Sequence, residues 1–430
     1  MKPVYIVSWL FALAISFVSC DDWLDKTPKD RLYPDVYFKT EDELRLFTNQ
    51  FYNNLVPSAV DIYSESSDLI VKSDLMLEMS GQRIIPDEGN GWNFTALRDI
   101  NFYLQYSHNC TEVNARNRYD GVARFFRAYF YFEKVKRYGD IPWYDKALDS
   151  DDPELYKARD SREFVMQKML EDLDFAIANL PKTKNAYVLT RWTALALKSR
   201  VCLFEGTFRK YHGLEDCEKY LNACVSASET FMNESGYTLY KSGSTPYRDL
   251  FASINLQADE VIFGRDYEAS LSVLHNVQNY ENSTTMGRPG MNKKIVNSYL
   301  MADGSRFTDK AGYETMTFDQ ECQNRDPRLA QTIRTPGYTR IGSTKKEAPN
   351  LAYTMTGYHL IKYSMTANYD EYNKSCNDIP LFRTAEVYLN FAEAKAELGT
   401  LKQADINKSI KLLRDRVGMT NLDMELANSK

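Results

Sequence analysis

The chain has 430 residues, with 53 Lys and Arg against 59 Asp and Glu, and a formal net charge of −6. This length suits one large domain or two to three small ones. The mildly acidic balance, without a basic stripe or an arginine-rich block, argues against nucleic acid as a partner. Aromatic residues are abundant, which predicts a ring-packed core and exposed rings able to stack on flat apolar faces.

The N-terminus reads as an export signal. Lys2 precedes an apolar run over residues 4–18, which is too short for a comfortable transmembrane helix of about 20 residues. Cys20 follows directly, as in the lipobox of bacterial lipoproteins, so residues 1–19 are predicted to be a signal peptide and Cys20 the lipidated residue. Residues 20–40 are then an extended, proline-containing tether, and the membrane is contacted through the lipid anchor only. An ordinary signal peptide cleaved beside an unrelated cysteine is the alternative.

The remaining cysteines and the histidines show no metal-ligand spacing. Because no CxxC pair exists, zinc ribbons and thioredoxin-type sites are unsupported, and no metal site is predicted. In a chain this large we expect buried free thiols, although the sequence does not exclude disulfide pairing. The six cysteines after Cys20 are Cys110, Cys202, Cys217, Cys224, Cys322 and Cys376.

Apolar periodicity and capping residues predict a mainly α scaffold. Thr40 and the acids after it cap the first helix, whereas Gly206 and Gly399 are predicted to end two later ones. The last two helices resemble a tetratricopeptide pair, in which small residues let antiparallel helices approach, so several pairs must stack. The predicted helices span residues 41–55, 95–116, 121–138, 161–180, 190–206, 215–232, 383–398 and 403–417.

Residues 233–380 lose helical periodicity and are rich in Gly, Pro, Asn and Thr. Short strands are predicted at 261–263 and 358–361. Long structured loops in a compact protein usually carry function. We therefore expect one domain over 41–430, built from a helical scaffold (41–232 and 383–417) and an irregular ligand-binding region (233–380).

Short motifs along nearly the whole chain resemble the SusD/RagB family of outer-membrane nutrient-binding lipoproteins from Bacteroidota. Each motif is weak alone, but their order behind a lipobox is specific. Family members usually continue further, with a segment of Glu-Arg-Arg and Phe-Glu-Gly-x-Arg character, so a C-terminal segment is expected to be missing here. The motifs are Cys20–Asp25, Arg127–Phe132 with Arg137–Pro142, Asp172–Ala176, Ala194–Arg200, Tyr299–Gly304, Asp326–Leu329, Arg383–Ala394 and Leu413–Gly418.

The resemblance implies a binding subunit rather than an enzyme, without an organic cofactor. Such proteins cover a SusC-like TonB-dependent transporter as a lid, capture glycan or peptide pieces and pass them inward. The implied location is the outer membrane, lipid-anchored and facing the cell exterior. Asp21 and Asp22 after the cysteine resemble the acidic export signal of Bacteroidota lipoproteins.

Oligosaccharide binding needs aromatic faces for the apolar side of a sugar and planar polar groups for its hydroxyls. Two loops combine these residue types, within residues 80–94 and 267–292. For Trp92, ligand contact and structural burial are equally favoured, whereas for any other single residue a solvated side chain is the favoured alternative. The candidate ligand-binding residues are Trp92, Asn93, Arg83, Asn90, Tyr267, Tyr280, Arg288 and Asn292.

Two other functions stay open. The helix pairs could form a tetratricopeptide-like adaptor that docks proteins and has no sugar site. A secreted glycoside hydrolase would need two carboxylates about 5–10 Å apart, and no motif marks such a pair. No GxSxG, HExxH or glycine-rich phosphate loop is present either. On the resemblance to the SusD/RagB family, the predicted function is the capture of oligosaccharides for a SusC-like transporter.

Overall fold

The computed structural model describes residues 37–63, 68–86, 89 and 91–429. The predicted signal peptide, Cys20 and most of the tether lie outside the described residues. Among those described, no helix is both long and apolar enough to cross a membrane. The fold is mainly α, as predicted, with two small antiparallel sheets.

Helices carry most of the described chain. In chain order they are α1 (Glu41–Leu55), α2 (Val60–Tyr63), α3 (Leu77–Ser80), α4 (Thr95–Tyr106), α5 (Val113–Tyr138), α6 (Arg162–Asn179), α7 (Arg191–Tyr211), α8 (Cys217–Glu234), α9 (Pro246–Ala252), α10 (Val277–Glu281), α11 (Lys293–Ser298), α12 (Phe318–Glu321), α13 (Thr384–Glu397), α14 (Gln403–Asn407), α15 (Ile410–Asp415) and α16 (Met424–Asn428). The strands are β1 (Ile70–Val71), β2 (Val261–Arg265), β3 (Gly290–Met291) and β4 (Ile379–Arg383).

The predicted helix at 41–55 is confirmed together with its cap. Thr40 Oγ1 accepts a hydrogen bond from the Glu43 amide at 3.3 Å, and the Glu43 carboxylate accepts one from the Thr40 amide at 3.1 Å. This capping box satisfies two amides that the first turn leaves without helical partners. The acids of that turn also face the positive end of the helix dipole.

The ring-rich helix α5 lies at the centre of the main core, as its sequence predicts. It packs against α1 and α4 on one side and against α6 on another. Phe125, Phe126 and Tyr131 are all buried. The helices then continue as a series of neighbours, with α6 on α7, α7 on α8, and α13 on α8. Stacked pairs bury faces that no single pair could cover.

Three predicted helix boundaries are wrong, and two of them were placed at glycines that in fact allow close packing. The sequence predicts helices at 95–116 and 121–138, but α4 ends at Tyr106 and α5 runs through Gly121. A Cβ at Gly121 would lie 3.3 Å from Leu180 Cγ. Gly206, predicted to end a helix, lies inside α7, where a Cβ would come within 2.7 Å of Leu221 Cγ. Both glycines allow close contact with a neighbouring segment.

The irregular region differs from its prediction in its strands. The strand predicted at 261–263 is confirmed as part of β2, which pairs antiparallel with the unpredicted β4. Residues 358–361 form only isolated bridges, so that prediction is wrong. The helix predicted at 403–417 is also wrong, because it breaks between α14 and α15 at Ser409, whose hydroxyl donates to the Asp405 carbonyl at 2.6 Å.

The six cysteines after Cys20 are free thiols, as expected by default. Cys110, Cys202, Cys224 and Cys376 are buried, whereas Cys217 and Cys322 are only half-buried. The described residues contain no group of three His, Cys, Asp or Glu that could hold a metal ion.

A fully buried carboxylate joins the irregular region to the last helices. Glu260, directly before β2, pairs with Arg383 at 3.0 Å and with Arg416 at 2.7 Å, and it accepts the Tyr240 amide at 2.9 Å. A buried charge needs such partners, because desolvation is otherwise uncompensated. This cluster fixes β4 and the segment after α15 against β2.

A second buried ion pair holds the helical scaffold. Arg127 of α5 donates from Nε and Nη2 to the two oxygens of Asp172 on α6, at 2.6 and 2.7 Å. Its Nη1 donates to Asn101 Oδ1 of α4 at 3.2 Å. Side chains of three helices therefore meet at the Arg127 guanidinium. This planar group can donate two parallel hydrogen bonds to one carboxylate.

We expect Asp172→Asn to lower the free energy of unfolding by about 3 kcal/mol, because it leaves the Arg127 charge buried without its carboxylate. Asp174→Asn is the matched control on the same helix: Asp174 is 59% exposed and pairs with Lys198 at the surface, so the loss should stay below about 1 kcal/mol. Urea unfolding of both variants measures this. Equal losses would contradict the special role of the buried pair.

Candidate functional site

A cleft of about 590 Å³ lies between the start of α4 and the loop that follows α5. Its walls combine rings with basic side chains. It is lined by Trp92, Phe94, Thr95, Leu97, Arg98, Asn101, Pro142, Tyr144, Lys146, Leu148, Leu155, Lys157, Ala158 and Arg159. A concave site of this size is typical of small-ligand binding.

Trp92 forms an aromatic corner of the cleft. The ring centroids of Trp92 and Phe94 are 5.3 Å apart and those of Trp92 and Tyr138 are 4.9 Å apart, both edge-to-face. Phe94 meets Tyr144 in the same way at 5.8 Å. Trp92 nevertheless remains 39% exposed. It is therefore a ring fixed by its neighbours with part of its surface open to a ligand.

The loop that forms the far wall is fixed from below by buried hydrogen bonds. Asn101 Nδ2 donates to the Tyr144 carbonyl at 2.8 Å, while its Oδ1 is held by Arg127. The Tyr131 hydroxyl accepts the Tyr144 amide at 2.6 Å and donates to the Pro142 carbonyl at 3.2 Å. Because these partners are inside the core, the wall of the cleft is preformed.

Basic side chains provide the polar part of the lining. The Arg159 guanidinium lies 4.9 Å from the centroid of the Trp92 ring, a cation–π geometry. Lys157 Nζ donates to the Trp143 carbonyl at 2.6 Å, and Arg98 Nε donates to the Leu148 carbonyl at 3.2 Å. Such groups can donate to ligand oxygens while their stems pack on the rings.

The structure separates the candidate residues of the first loop. Trp92 lines the cleft. Asn93 is next to it, but its Oδ1 accepts the Thr95 amide at 2.8 Å and so organises the start of α4. Arg83 lies outside the lining and pairs with Glu78 at 3.4 Å. Asn90 falls outside the described residues.

The four candidates of the second loop do not form one open surface. Tyr267 and Tyr280 are buried, and the Tyr267 hydroxyl accepts the Ala59 amide at 2.8 Å. Arg288 donates to the carbonyls of neighbouring backbone at 2.7 and 3.0 Å. Asn292 caps α11 through the Lys294 amide at 2.9 Å. Each has a structural role that loop composition alone did not reveal.

Tyr280 lines a second cavity, of about 420 Å³, in the irregular region. Its wall includes Glu281, which is buried and accepts hydrogen bonds from the Ser364 hydroxyl at 2.7 Å and the Tyr363 amide at 3.2 Å. Burial raises the pKa of Glu281 to about 7. The His359 ring contacts the Glu281 carbonyl at 2.8 Å.

Sequence reasoning missed most of the cleft. Phe94, Tyr144, Lys146 and Arg159 were not among the candidates, although they line it with Trp92. The available signal was position: the residues after Pro142 follow the exit turn of the ring-rich helix and again contain rings. Their meeting with Trp92 depends on long-range contacts that no local pattern shows.

Two family models match separate parts of the chain: one described as "SusD family" matches residues 250–430, and one described as "Starch-binding associating with outer membrane" matches 82–191. SusD-like protein P2 of Formosa agariphila is 25% identical, with 97% of this chain and 82% of that protein covered. SusD-like protein P25 of the same bacterium is 21% identical, with 99% and 84% covered.

Solved structures agree on the fold. A SusD-like protein from Bacteroides fragilis superposes with a TM-score of 0.73 at 22% identity, covering 94% of this chain and 84% of its own. A SusD-like carbohydrate binding protein from the same species gives 0.71 at 18% identity, covering 91% and 82%. In sequence and in fold, this chain is therefore similar to members of the SusD family.

We expect Glu281→Gln to remove a pH dependence of stability. As the pH rises, Glu281 loses its proton near its ordinary pKa of 4.5 in the unfolded chain. In the folded chain it keeps the proton until the pH reaches about 7, because its pKa is raised. The stabilising contribution is therefore full below about pH 4.5 and is lost as the pH rises to about 7. Relative to the original chain, Gln should gain up to about 3 kcal/mol between pH 5 and pH 8 in urea unfolding.

Glu371→Gln, which removes an exposed carboxylate of the same region, serves as the control and should leave the pH dependence unchanged. If Glu281→Gln and the original chain lose stability in parallel from pH 5 to pH 8, Glu281 is already ionised at neutral pH.

Proposed function

We propose that this protein is a surface lipoprotein that binds an oligosaccharide in the cleft beside Trp92 and delivers it to a SusC-like TonB-dependent transporter. The observation that carries the proposal is the partly exposed Trp92 ring, fixed by Phe94 and Tyr138 at the mouth of a cleft that also presents polar donors. This is the pairing of flat apolar face and hydrogen-bonding groups that a sugar ring needs.

The cleft also meets the energetic requirement for binding a flexible chain. Its wall at Tyr144 is fixed by Asn101 and Tyr131, so little protein entropy is lost when a ligand enters. Arg98, Lys146 and Arg159 reach the lining from exposed positions and can donate to ring substituents. The match to a model described as starch-binding, over residues that include Trp92 and this wall, supports the same conclusion.

Binding is favoured over hydrolysis at this cleft. A glycosidase needs two carboxylates flanking the scissile bond. The described residues that line the cleft include no Asp or Glu. The cleft therefore offers donors and rings, which hold a sugar, without the acid and base that would cleave it.

Delivery to a transporter requires a protein contact, and an apolar segment is available for it. Leu75 and Leu77 are exposed, and the side chains of Ile84 and Ile85 are 84% and 75% exposed. Contiguous exposed apolar residues mark interaction surfaces in soluble domains. Lipidation at Cys20 would hold this surface near the membrane. The adaptor alternative uses the same segment but predicts no glycan binding.

We expect Trp92→Ala to weaken oligosaccharide binding by about tenfold or more, because aromatic anchors in fixed pockets carry a large share of binding energy. Isothermal titration calorimetry or affinity electrophoresis over a glycan panel measures this. Tyr372→Ala, which removes an exposed ring outside the cleft, should leave the affinity unchanged. Full affinity in Trp92→Ala would place the site elsewhere.

A second prediction concerns the partner. Tagged protein purified from native outer membranes should carry a large β-barrel protein with a plug domain, identified by mass spectrometry. The double variant Ile84→Lys and Ile85→Lys should lose this partner while keeping its glycan affinity, because charge cannot be buried there without cost. Leu351→Lys, at another exposed apolar residue, is the control. If both variants keep the partner, this segment is not part of the interface.

A further inference from the structure

The charged side chains that line the cleft beside Trp92 are all basic, whereas the chain as a whole is acidic. The protein carries a formal net charge of −6. The cleft lining nevertheless contains Arg98, Lys146, Lys157 and Arg159, and the described residues that line it include no carboxylate. A cleft of one sign with apolar walls concentrates the electrostatic field inside it. The lining therefore favours ligands of negative charge.

Three of these cations are paired with carboxylates that are not part of the lining. Lys146 Nζ lies 2.9 Å from Glu154, Lys157 Nζ lies 3.0 Å from Asp160, and Arg98 reaches Asp149 only at 3.8 Å, with both side chains largely exposed. Exposed pairs of this kind are weak and exchange partners readily. A ligand anion can therefore compete with these carboxylates for the cations.

Arg159 differs from the other three. Within the part of the chain that the structure describes, Arg159 forms no ion pair, and its guanidinium carbon lies over the Trp92 ring, 4.9 Å from the ring centroid. A guanidinium stacked on a ring keeps its N–H groups in its own plane, free to meet a planar or tetrahedral oxyanion bidentately. Arg159 thus places an oriented positive charge next to Trp92, the ring on which a sugar is proposed to pack.

The hydrogen-bonding groups of the wall also favour a negatively charged ligand. Lys and Arg are donors only, whereas a sugar hydroxyl both donates and accepts. Asn101 Oδ1, an acceptor in the lining, is already occupied by Arg127. Carboxylate and sulfate groups are acceptors only, so they match the donors of these four basic side chains, while the hydroxyls of Thr95 and Tyr144 can serve the sugar hydroxyls.

We infer that the natural ligand of this cleft is an anionic oligosaccharide, bearing carboxylate or sulfate groups, and that Arg159 determines this specificity. The inference rests on the proposed function, since it names the class of glycan that the same cleft binds. It assigns to Arg159 an ion pair with the ligand anion and to Trp92 the apolar face of the adjoining sugar ring.

Calorimetry with three families of oligosaccharides of matched length tests the inference: oligogalacturonates for carboxylates, carrageenan oligosaccharides for sulfates, and maltooligosaccharides as neutral chains. We expect one anionic family to bind about tenfold or more tighter than the neutral one. That affinity should fall as NaCl rises from about 50 to about 500 mM, because salt screens exposed charges. The anionic family that binds identifies the group.

Variants locate the effect. Arg159→Gln should reduce anionic affinity about tenfold while changing neutral affinity little, and Arg159→Lys should recover part of the loss because it keeps the charge. Arg306→Gln, which removes an exposed arginine outside the lining, should change neither. Equal losses for anionic and neutral ligands in Arg159→Gln would overturn the specificity role.

The possible outcomes distinguish a failure of the anionic-ligand inference from a failure of the proposed oligosaccharide binding. Neutral oligosaccharides that bind as tightly as anionic ones, insensitive to salt but weakened by Trp92→Ala, would overturn the anionic ligand and leave the glycan-binding function intact. Failure of all three families to bind the folded protein would count against both.

Discussion

The buried pair of Arg127 and Asp172 is the constraint on which the helical scaffold and the cleft both depend. Neither charge can stay in the core without the other, because desolvation would be uncompensated. Their bidentate contact fixes the register of α5 against α6. The spare Nη1 of Arg127 then holds Asn101, and Asn101 holds the Tyr144 carbonyl. The core thereby positions a wall that forms the candidate binding site.

The irregular region has its own buried centre, Glu260 with Arg383 and Arg416. The two ionic centres stabilise different parts of the molecule. One supports the preformed wall of the cleft beside α4, whereas the other joins β2, β4 and the end of α15. The first cleft combines a fixed exposed ring with donors, so it is better suited to a sugar than the second cavity.

The sequence predicts those parts of the fold that depend on local patterns. Thr40 caps α1 because the capping box needs only residues three positions apart. Gly206 was misread as a helix end because its role depends on Leu221, which lies on the packed neighbour α8. Trp92 was proposed as a ligand contact because it lies among polar residues, whereas Arg159 was not a candidate because only the folded chain brings it over that ring.

The same reasoning explains the second loop. Tyr267 and Tyr280 are of a residue type that often contacts sugars. Their burial, however, is set by tertiary packing that a single sequence does not show. Similarity to a family indicates which fold to expect but not which loop residues face a ligand. The physical distinction is exposure combined with a fixed orientation, and among the candidate rings Trp92 meets both conditions.

The most direct test of this account is a crystal structure of the protein with a bound oligosaccharide from the family that binds most tightly. The account predicts sugar density in the cleft, with one ring against Trp92 and an oxygen substituent within hydrogen-bonding distance of Arg159. Density in the cavity beside Glu281, or on a surface remote from Trp92, would contradict it.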